Sequence, residues 1–457
     1  MCFKGYFNPG IPMNDTPNLF NTSEYTVETK TPEISNSKPR VNSPVRNQIE
    51  FVSTCLDNLI SEDHPVRNIW GYIDQMDLSI ITKKIQSTSN SPGRPAIDPK
   101  ILLALWIYAL VEGIGSARVI DRYCSEHLAF KWICGGVSVN YHTISDFRKN
   151  SEEFDQLVTM CIARLIQRDL ITLKRISQDG MKVRASAGSS SFRRKPRLKE
   201  LLSIAKERVE ILRKEIDADP SQCLNRQMAA RKRAAEERKS RIEKAIDEHK
   251  KVIIEKGRTK KKHRKPFTDN EKKEIRASIT DPDARKMIMG NGGYNPAFNV
   301  QLAVDTNSRF IVGYDVIKNL DSGQLSKMFA EVKENYNITP EQWLVDKGYL
   351  EFNDLIKVQK SGCKVYVNPS LKGKKDPNAI NEKEDAELGE WRKRMGTEEA
   401  KEIYKDRASN SEWANAGMRN RGLGQLLVRG INAVKGVIGL QVLAHNIVRA
   451  TRLNYAW

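Results

Sequence analysis

The chain has 457 residues, with 76 Lys and Arg against 57 Asp and Glu, a formal charge of +19 and a pI near 9.5. That is roughly three ~150-residue domains, so two or three are expected, and the basic excess points to a polyanion, nucleic acid before an anionic membrane surface. A composition 39% hydrophobic and 29% charged argues against wholesale disorder and against an integral membrane protein. The longest apolar run, Ile101 to Val111, is too short to cross a bilayer and ends at Glu112. Met1 is followed by Cys2, Lys4, Gly5 and Pro9, unlike the basic region and apolar core of a signal peptide. The seven cysteines, at 2, 55, 124, 134, 161, 223 and 363, form no C-x-x-C pair and no zinc-finger spacing with histidine. A reduced cytosolic compartment is expected, with His127, Cys124 and Cys134 as helix-packing residues.

Residues 1–45 are rich in Asn, Ser, Thr and Pro without an apolar period and are expected to be a flexible arm. Residues 46–170 read as helical. Asp98-Pro99 opens a helix whose Leu102, Leu103, Leu105, Trp106, Ala109 and Leu110 are core candidates. Two short helices, beginning at Ser116 and Val139, flank a turn at Gly135-Gly136, in the manner of a helix-turn-helix whose second helix carries Tyr141, His142, Thr143, Arg148 and Lys149. An all-helical packing domain with a solvated basic face fits the same pattern.

The period then changes. Residues 172–185, 298–304 and 309–316 read as strands, the last two joined by the turn Asp305-Thr-Asn-Ser; 342–345 and 364–367 are shorter candidates. Helical stretches are expected at 324–334 and 353–359, and again from Glu402 to Arg452. The layout is mixed α/β around one sheet, assigned to 171–191 and 277–457.

It is interrupted at 192–276 by 29 Lys and Arg against 15 Asp and Glu, a surplus of 14 of the chain's 19 net charges. Leu202, Ala205, Val209, Leu212 and Ile216 recur at helical spacing, as do Ile242, Ile246, His249 and Ile253 after a break at Asp219-Pro220. An antiparallel helical hairpin with too narrow a stripe for a core of its own is expected. The run Arg258-Thr-Lys-Lys-Lys-His-Arg-Lys reads as a loop or tail for a polyanion, or as a solvated linker.

Two-metal phosphodiester chemistry requires hard oxygen ligands holding two cations ~3.5–4 Å apart. Asp179, in mid-strand beside Gly180, is poorly placed for a carboxylate unless it faces a metal or an edge. Asp346 follows the strand Gln342-Trp-Leu-Val at its carboxyl end, where α/β sites lie. Each residue also has an ordinary reading: an edge residue for Asp179, a turn former for Asp346, and a first-turn helix acid for Glu412. Asp305 and Asp321 are alternative acids between Asp179 and Asp346; the first is read as a turn residue. His445 is read as packed in a helix.

Together, Asp179-Gly-Met-Lys-Val-Arg-Ala, Tyr294-Asn-Pro-Ala-Phe-Asn-Val-Gln-Leu-Ala-Val-Asp, Val345-Asp-Lys-Gly-Tyr, and Glu412-Trp-Ala-Asn-Ala with Arg419-Asn-Arg-Gly-Leu resemble bacterial insertion-sequence transposases of the DDE class. The resemblance runs from about Asn47 to the C-terminus, with Gly93-Arg-Pro-Ala-Ile-Asp-Pro-Lys like the family's N-terminal part. It implies a ribonuclease-H-like catalytic core, interrupted here by the basic insertion and preceded by an all-helical DNA-binding domain. It also implies Asp179, Asp346 and Glu412 as catalytic ligands for two Mg²⁺ ions, or Mn²⁺. The family pattern near its Glu is Tyr, two residues, Arg, three residues, Glu, six residues, Lys. Here Tyr404 and Arg407 fit, four residues precede Glu412, and Arg419 stands for Lys.

The resemblance implies cleavage at the ends of an insertion sequence and joining of the 3′-hydroxyls to target DNA. Duplex DNA would be the partner, a homodimer or larger synapse the working form, and the bacterial cytoplasm and nucleoid the location, without a membrane. Candidate DNA contacts are Tyr141, His142, Arg148, Lys149, Tyr404, Arg407, Arg419, Arg429 and Lys435, through salt-dependent phosphate contacts. A metal-dependent nuclease that does not join strands, and a catalytically silent DNA-binding derivative, are the alternative readings.

Overall fold

The computed structural model describes residues 55–87, 95–218, 225–262, 266–369 and 385–455. The expected arm at 1–45, the Asp219-Pro220 break and the end of the basic run, from 263 to 265, lie outside them. The described chain is mixed α/β, a helical N-terminal region followed by a sheet with helices.

The N-terminal region comprises α1 (Pro65–Asp74), α2 (Ser79–Thr82), α3 (Pro99–Val111), α4 (Ala117–Glu126), α5 (Leu128–Cys134), α6 (Tyr141–Phe147) and α7 (Ser151–Gln167). The Asp98 side chain caps α3 by accepting from Lys100 N at 2.8 Å, and Pro99 supplies a preset first turn. All ten residues from Ile101 to Leu110 are buried, so α3 is the central helix that its apolar surface demands. Trp106 Nε1 donates to Ile144 O at 2.9 Å and ties α3 to α6. Where the sequence reading had two helices about a glycine turn, the structure has three: α5 intervenes, and Gly135 and Gly136, at φ +55° and +85°, end it.

The sheet is built from β1 (Arg175–Arg184), β4 (Arg285–Ile288), β5 (Tyr294–Asp305), β6 (Ile311–Ile317), β7 (Gln342–Val345) and β8 (Lys364–Tyr366); β2 (Phe192–Arg194) and β3 (Arg276–Ser278) form a separate pair. The order is β4-β5-β1-β7-β8, with β6 also on β5. β1, β4 and β6 run antiparallel to their neighbour β5, whereas β7 and β8 continue the sheet in parallel. Helices α11 (Leu325–Tyr336) and α12 (Phe352–Lys360) make the crossovers, followed by α13 (Ala386–Met395), α14 (Glu398–Asn420) and α15 (Ile431–Arg452). α15 is the described helix long and apolar enough to cross a membrane, yet 67% of its apolar stretch is buried, against α3, α7 and β6. The Asn446 amide accepts from Ile311 N at 3.0 Å and donates to Ile311 O at 2.9 Å, covering backbone that β6 would otherwise expose. One hydrophobic core runs from the N-terminal helices through the sheet to α15.

The basic segment leaves and re-enters through the β2–β3 pair, where Arg194 faces Arg276. Between them α8 (Lys195–Ala218) and α9 (Asn225–Lys262) form the antiparallel hairpin, its thin seam made by Leu198, Leu201, Ala205, Ile242 and Ala245. At 38 residues α9 is about 57 Å long. Its last turns are Arg258 to Lys262, so this part of the basic run is helix and not the loop or tail expected from composition. Buried Glu248 docks α9 on the sheet through ion pairs to Arg285 at 2.5 Å and Lys318 at 3.3 Å, with Lys251 at 2.9 Å.

Burial alone would raise the Glu248 carboxyl, but Arg285, Lys251 and Lys318 outweigh it and hold it at about 2 against an ordinary 4.5. A depressed carboxyl contributes stability above its unfolded value and loses it as pH falls toward the folded one. Glu248→Gln is therefore expected to cost about 3 kcal/mol at pH 7, measured by urea unfolding, with the difference from wild type shrinking between pH 4.5 and 2. A difference independent of pH would remove the ion-pair explanation.

Candidate active site

β1 and β7 are parallel neighbours in which Gln178 is opposite Val345. The next residue along each is an aspartate, Asp179 within β1 and Asp346 where β7 ends. Adjacent strands lie about 4.8 Å apart, so the two aspartates are near neighbours, and the Asp346 charge acts on the Asp179 carboxyl. They occupy the carboxyl end of β7, the usual location of sites in such sheets.

α14 lies across this face and docks by one stripe. Tyr404 OH donates to Val345 O at 3.2 Å, Ser411 Oγ is 2.8 Å from Ser177 Oγ, and Asn415 Nδ2 donates to Asp179 Oδ2 at 3.1 Å. Arg407 Nη2 lies 3.8 Å from Asp346 Oδ1, and its guanidinium stacks 5.7 Å from the Tyr404 ring centroid. Positions 404, 407, 411 and 415 are three or four apart, the spacing of one helix face. Glu412 is turned by about 100° from Ser411 and is exposed.

A third aspartate approaches from the loop between β6 and α11. Asp321 Oδ1 accepts from Asn299 Nδ2 and Gln301 Nε2, each at 2.8 Å, two buried amides on β5. It occupies space that only glycine leaves open: a Cβ on Gly180 would lie 2.1 Å from Asp321 Oδ1 and 2.7 Å from Gln301 Nε2. A Cβ on Gly348 would lie 3.6 Å from Asp321 Oδ2 and 4.0 Å from Asp346 Oδ2, so the loop carboxylate reaches toward the strand-end one. Burial raises the Asp179 carboxyl above its usual range and the Asp321 and Asp346 charges add to this, while the Gly180 N–H and Arg407 oppose it. Tyr349, buried beside the same acids, has its phenol pushed up by burial and donates to Gln301 Oε1.

Of the three acids expected from sequence, Asp179 and Asp346 come together, while Glu412 sits on the neighbouring, exposed face of α14. Asn415 and Asp321 complete the surroundings of the pair. Asp321 was legible only as an alternative acid, and Asn415 only as part of the Glu412 motif. Asp305 is a turn residue, accepting from Ser308 N at 2.8 Å, and His445 is buried within α15. Among the candidate DNA contacts, His142, Lys149, Arg419 and Arg429 are exposed and Tyr141 half-buried. Lys149 pairs with Asp146 at 2.6 Å, and Lys435 with Asp315. Arg148 is buried, with its guanidinium over Trp106 at 5.4 Å and on Gly115 O at 3.4 Å, so it serves packing between α3 and α6.

Among the described residues no three His, Cys, Asp or Glu side chains converge to hold a metal ion. The donor chemistry nevertheless suits a hard divalent cation. Two carboxylates adjoin, and Asn415 Oδ1, on a buried amide that already touches Asp179, has no hydrogen-bond partner.

Two family models match the chain: a transposase domain (DUF772) over residues 54–150 and a transposase DDE domain over 360–451. The first covers α1 to α6 and the second runs from the end of α12 through α14 and nearly all of α15, so Glu412 lies within a match and Asp179 and Asp346 outside. Both matches are transposase domains, and together they support an insertion-sequence DDE transposase. No curated protein and no solved structure matches it.

Gly180→Ala should lower stability by about 1–3 kcal/mol, because the new methyl collides with the Asp321 carboxylate. In Gly180→Ala/Asp321→Ala the two losses should be less than additive, with a coupling of at least 0.5 kcal/mol in urea unfolding. Strict additivity would show that the contact is unimportant.

Proposed function

We propose that the chain is a DNA transposase that cuts at the ends of an insertion sequence and joins the 3′-hydroxyl ends to target DNA on a ribonuclease-H-like core. The observation that carries this reading is the pair of Asp179, within β1, and Asp346, directly after its parallel neighbour β7, beneath α14, a helix of the matched DDE domain. The sheet order β6-β5-β1-β7-β8, three antiparallel strands followed by two parallel ones, supports the core assignment.

In this reading Asp179, Asp346 and Glu412 hold the catalytic cations. Divalent ions bound there, Mg²⁺ or Mn²⁺, would activate the attacking oxygen and stabilise the leaving one. Asn415 fixes the Asp179 carboxylate, and Arg407, beside Asp346, offers a planar donor to a DNA phosphate. The helical region 55–167 would recognise the element's ends through exposed residues of α6. The α8–α9 hairpin, which carries most of the net charge, would bind duplex backbone without reading sequence. Two ends must be brought together, so a dimer or larger assembly is part of the proposal.

Alanine at Asp179 or Asp346 should reduce Mg²⁺-dependent cleavage and strand joining on end-bearing DNA by about 10³-fold or more, with the fold intact by circular dichroism. The same loss is expected for Glu412→Ala, and full activity there would remove Glu412 from the ligand set. The exposure of Glu412 favours, as a second reading, a silent DNA-binding derivative. Element binding by wild type without cleavage in Mg²⁺ or Mn²⁺ would establish that reading.

Because Arg194 faces Arg276, residues 195–275 can be replaced by a short turn. This deletion should weaken duplex binding and flatten its salt dependence more than it reduces cation binding at the acids, measured by calorimetric titration with Mn²⁺. Unchanged DNA affinity with lost Mn²⁺ binding would contradict the assignment of the hairpin.

A further inference from the structure

Behind α14, away from the acidic pair, a group of arginines surrounds Trp413. Arg309, from the turn joining β5 and β6, lies over the indole at 5.4 Å, and Arg449 of α15 lies over it at 5.6 Å. His445 meets the same indole edge-on, with ring centroids 5.1 Å apart. Arg421, just past the end of α14, reaches His445 Nδ1 through Nη2 at 2.8 Å. Since Nδ1 accepts there, Nε2 carries the proton that is donated to Arg309 O at 3.1 Å, and the imidazole is neutral. Burial and the Arg421 charge both keep it so, holding its pKa at about 3. Histidine is therefore the polar partner of Arg421 but supplies no countercharge.

Neither does anything else described. Among the described residues no Asp or Glu side chain acts on Arg421, Arg449 or His445; the charges that do are Arg309, Arg421, Arg449 and Arg452, with the Tyr455 phenol alone acting on Arg449 in the opposite sense. None of the four arginines forms an ion pair among the described residues. Arg421 Nε is buried without a hydrogen-bond partner, and burial with the Arg452 charge lowers this group to about 10. Gathering like charges around a half-buried guanidinium is unfavourable in the free protein. Two local features nevertheless hold the group together. Arg309 adopts φ +62°, a left-handed conformation uncommon for a residue with a Cβ. Gly417 leaves room for the guanidinium, since a Cβ there would lie 3.2 Å from Arg421 Nη2. A cluster of like charges without a carboxylate among its described neighbours is a site that an anion would compensate.

We propose that the arginines around Trp413 form a binding site for a phosphate of the DNA backbone, on the opposite side of α14 from the acidic pair. Guanidinium forks match phosphate oxygens, and the neutral His445 leaves the positive charge undiminished. The proposal rests on the reading of the chain as a DNA-handling protein. It would make α14 a helix held by DNA on one face and by the acids on the other.

The test uses the full chain and Arg309→Gln/Arg449→Gln, which leaves the residues assigned to catalysis untouched. In phosphate-free, low-salt buffer the variant should melt at the same temperature as wild type or higher, because repulsion has been relieved. Inorganic phosphate should raise the melting temperature of wild type and not of the variant. In titrations of a 30-base-pair duplex, the slope of log K against log salt should be shallower in the variant by about 1.8, two contacts at 0.9 each. Arg449→Lys should keep most of that slope but bind more weakly, since charge is retained and the fork is lost. If wild type binds duplex and the variant's slope is unchanged, the site is overturned, and loss of the phosphate effect alone would identify a free-anion site instead. If wild type shows no salt-dependent duplex binding, the transposase reading itself fails and takes the DNA form of this proposal with it.

Discussion

The arrangement depends on the register of β1. This strand is antiparallel to β5 on one side and parallel to β7 on the other, and a slip of one residue would send Asp179 to the opposite face of the sheet. The buried Gln178 amide fixes that register. It accepts from Trp343 Nε1 at 3.0 Å and donates to Gln301 Oε1 at 3.2 Å and Gln324 O at 3.3 Å, linking β1 at once to β7, β5 and the start of α11. Each bond contributes modestly, but leaving such a group unsatisfied in the core is expensive, and this penalises every alternative pairing. Gln178 and Asp179 therefore divide the work, one defining the strand's position from one face and the other presenting a carboxylate on the opposite face.

Both faces of β1 carry polar function, so the strand could not show a simple alternation of apolar and polar residues. It was recognisable from Ile176 and Val183 with the Asp-Gly pair between them. The short apolar run Gln342-Trp-Leu-Val was legible for the opposite reason: a fully buried parallel strand is apolar on both faces, and β7 covers those residues. β4 and the β2–β3 pair gave no local signal, because three or four residues become strands only when a distant partner supplies the hydrogen bonds. The same limit hid Asp321. Its position depends on Asn299, Gln301 and the missing side chain of Gly180, residues 20 to 141 positions away in the chain. α5 has no clear signature of its own, because seven residues with one aromatic-aliphatic face look like the continuation of a turn. Charge alone makes the basic end of α9 look like loop, although lysine and arginine are good helix formers.

Arginine has two distinct structural uses here. Arg148 is buried and Arg394 half-buried, and Arg394 donates to Val365 O at 3.1 Å and stacks over Tyr366. Arg407 and the group around Trp413 lie instead at the margins of α14, against the rings of Tyr404 and Trp413. Net charge counts all of them equally. Only the packing distinguishes a guanidinium used as a flat hydrophobic plate from one left available to a phosphate.

The β2–β3 pair imposes a geometric economy on the basic hairpin. Ser191 Oγ and Ser278 Oγ meet at 2.8 Å, so the chain leaves the core and returns to it at nearly the same point. The core is consequently indifferent to the length of what lies between. Adding one helical turn to α8 and one to α9 would carry the tip outward by about 5.4 Å without altering a single register in the main sheet. The reach of the basic arm, and hence the stretch of a bound polyanion it can follow, is a quantity that can drift in sequence independently of the chemistry.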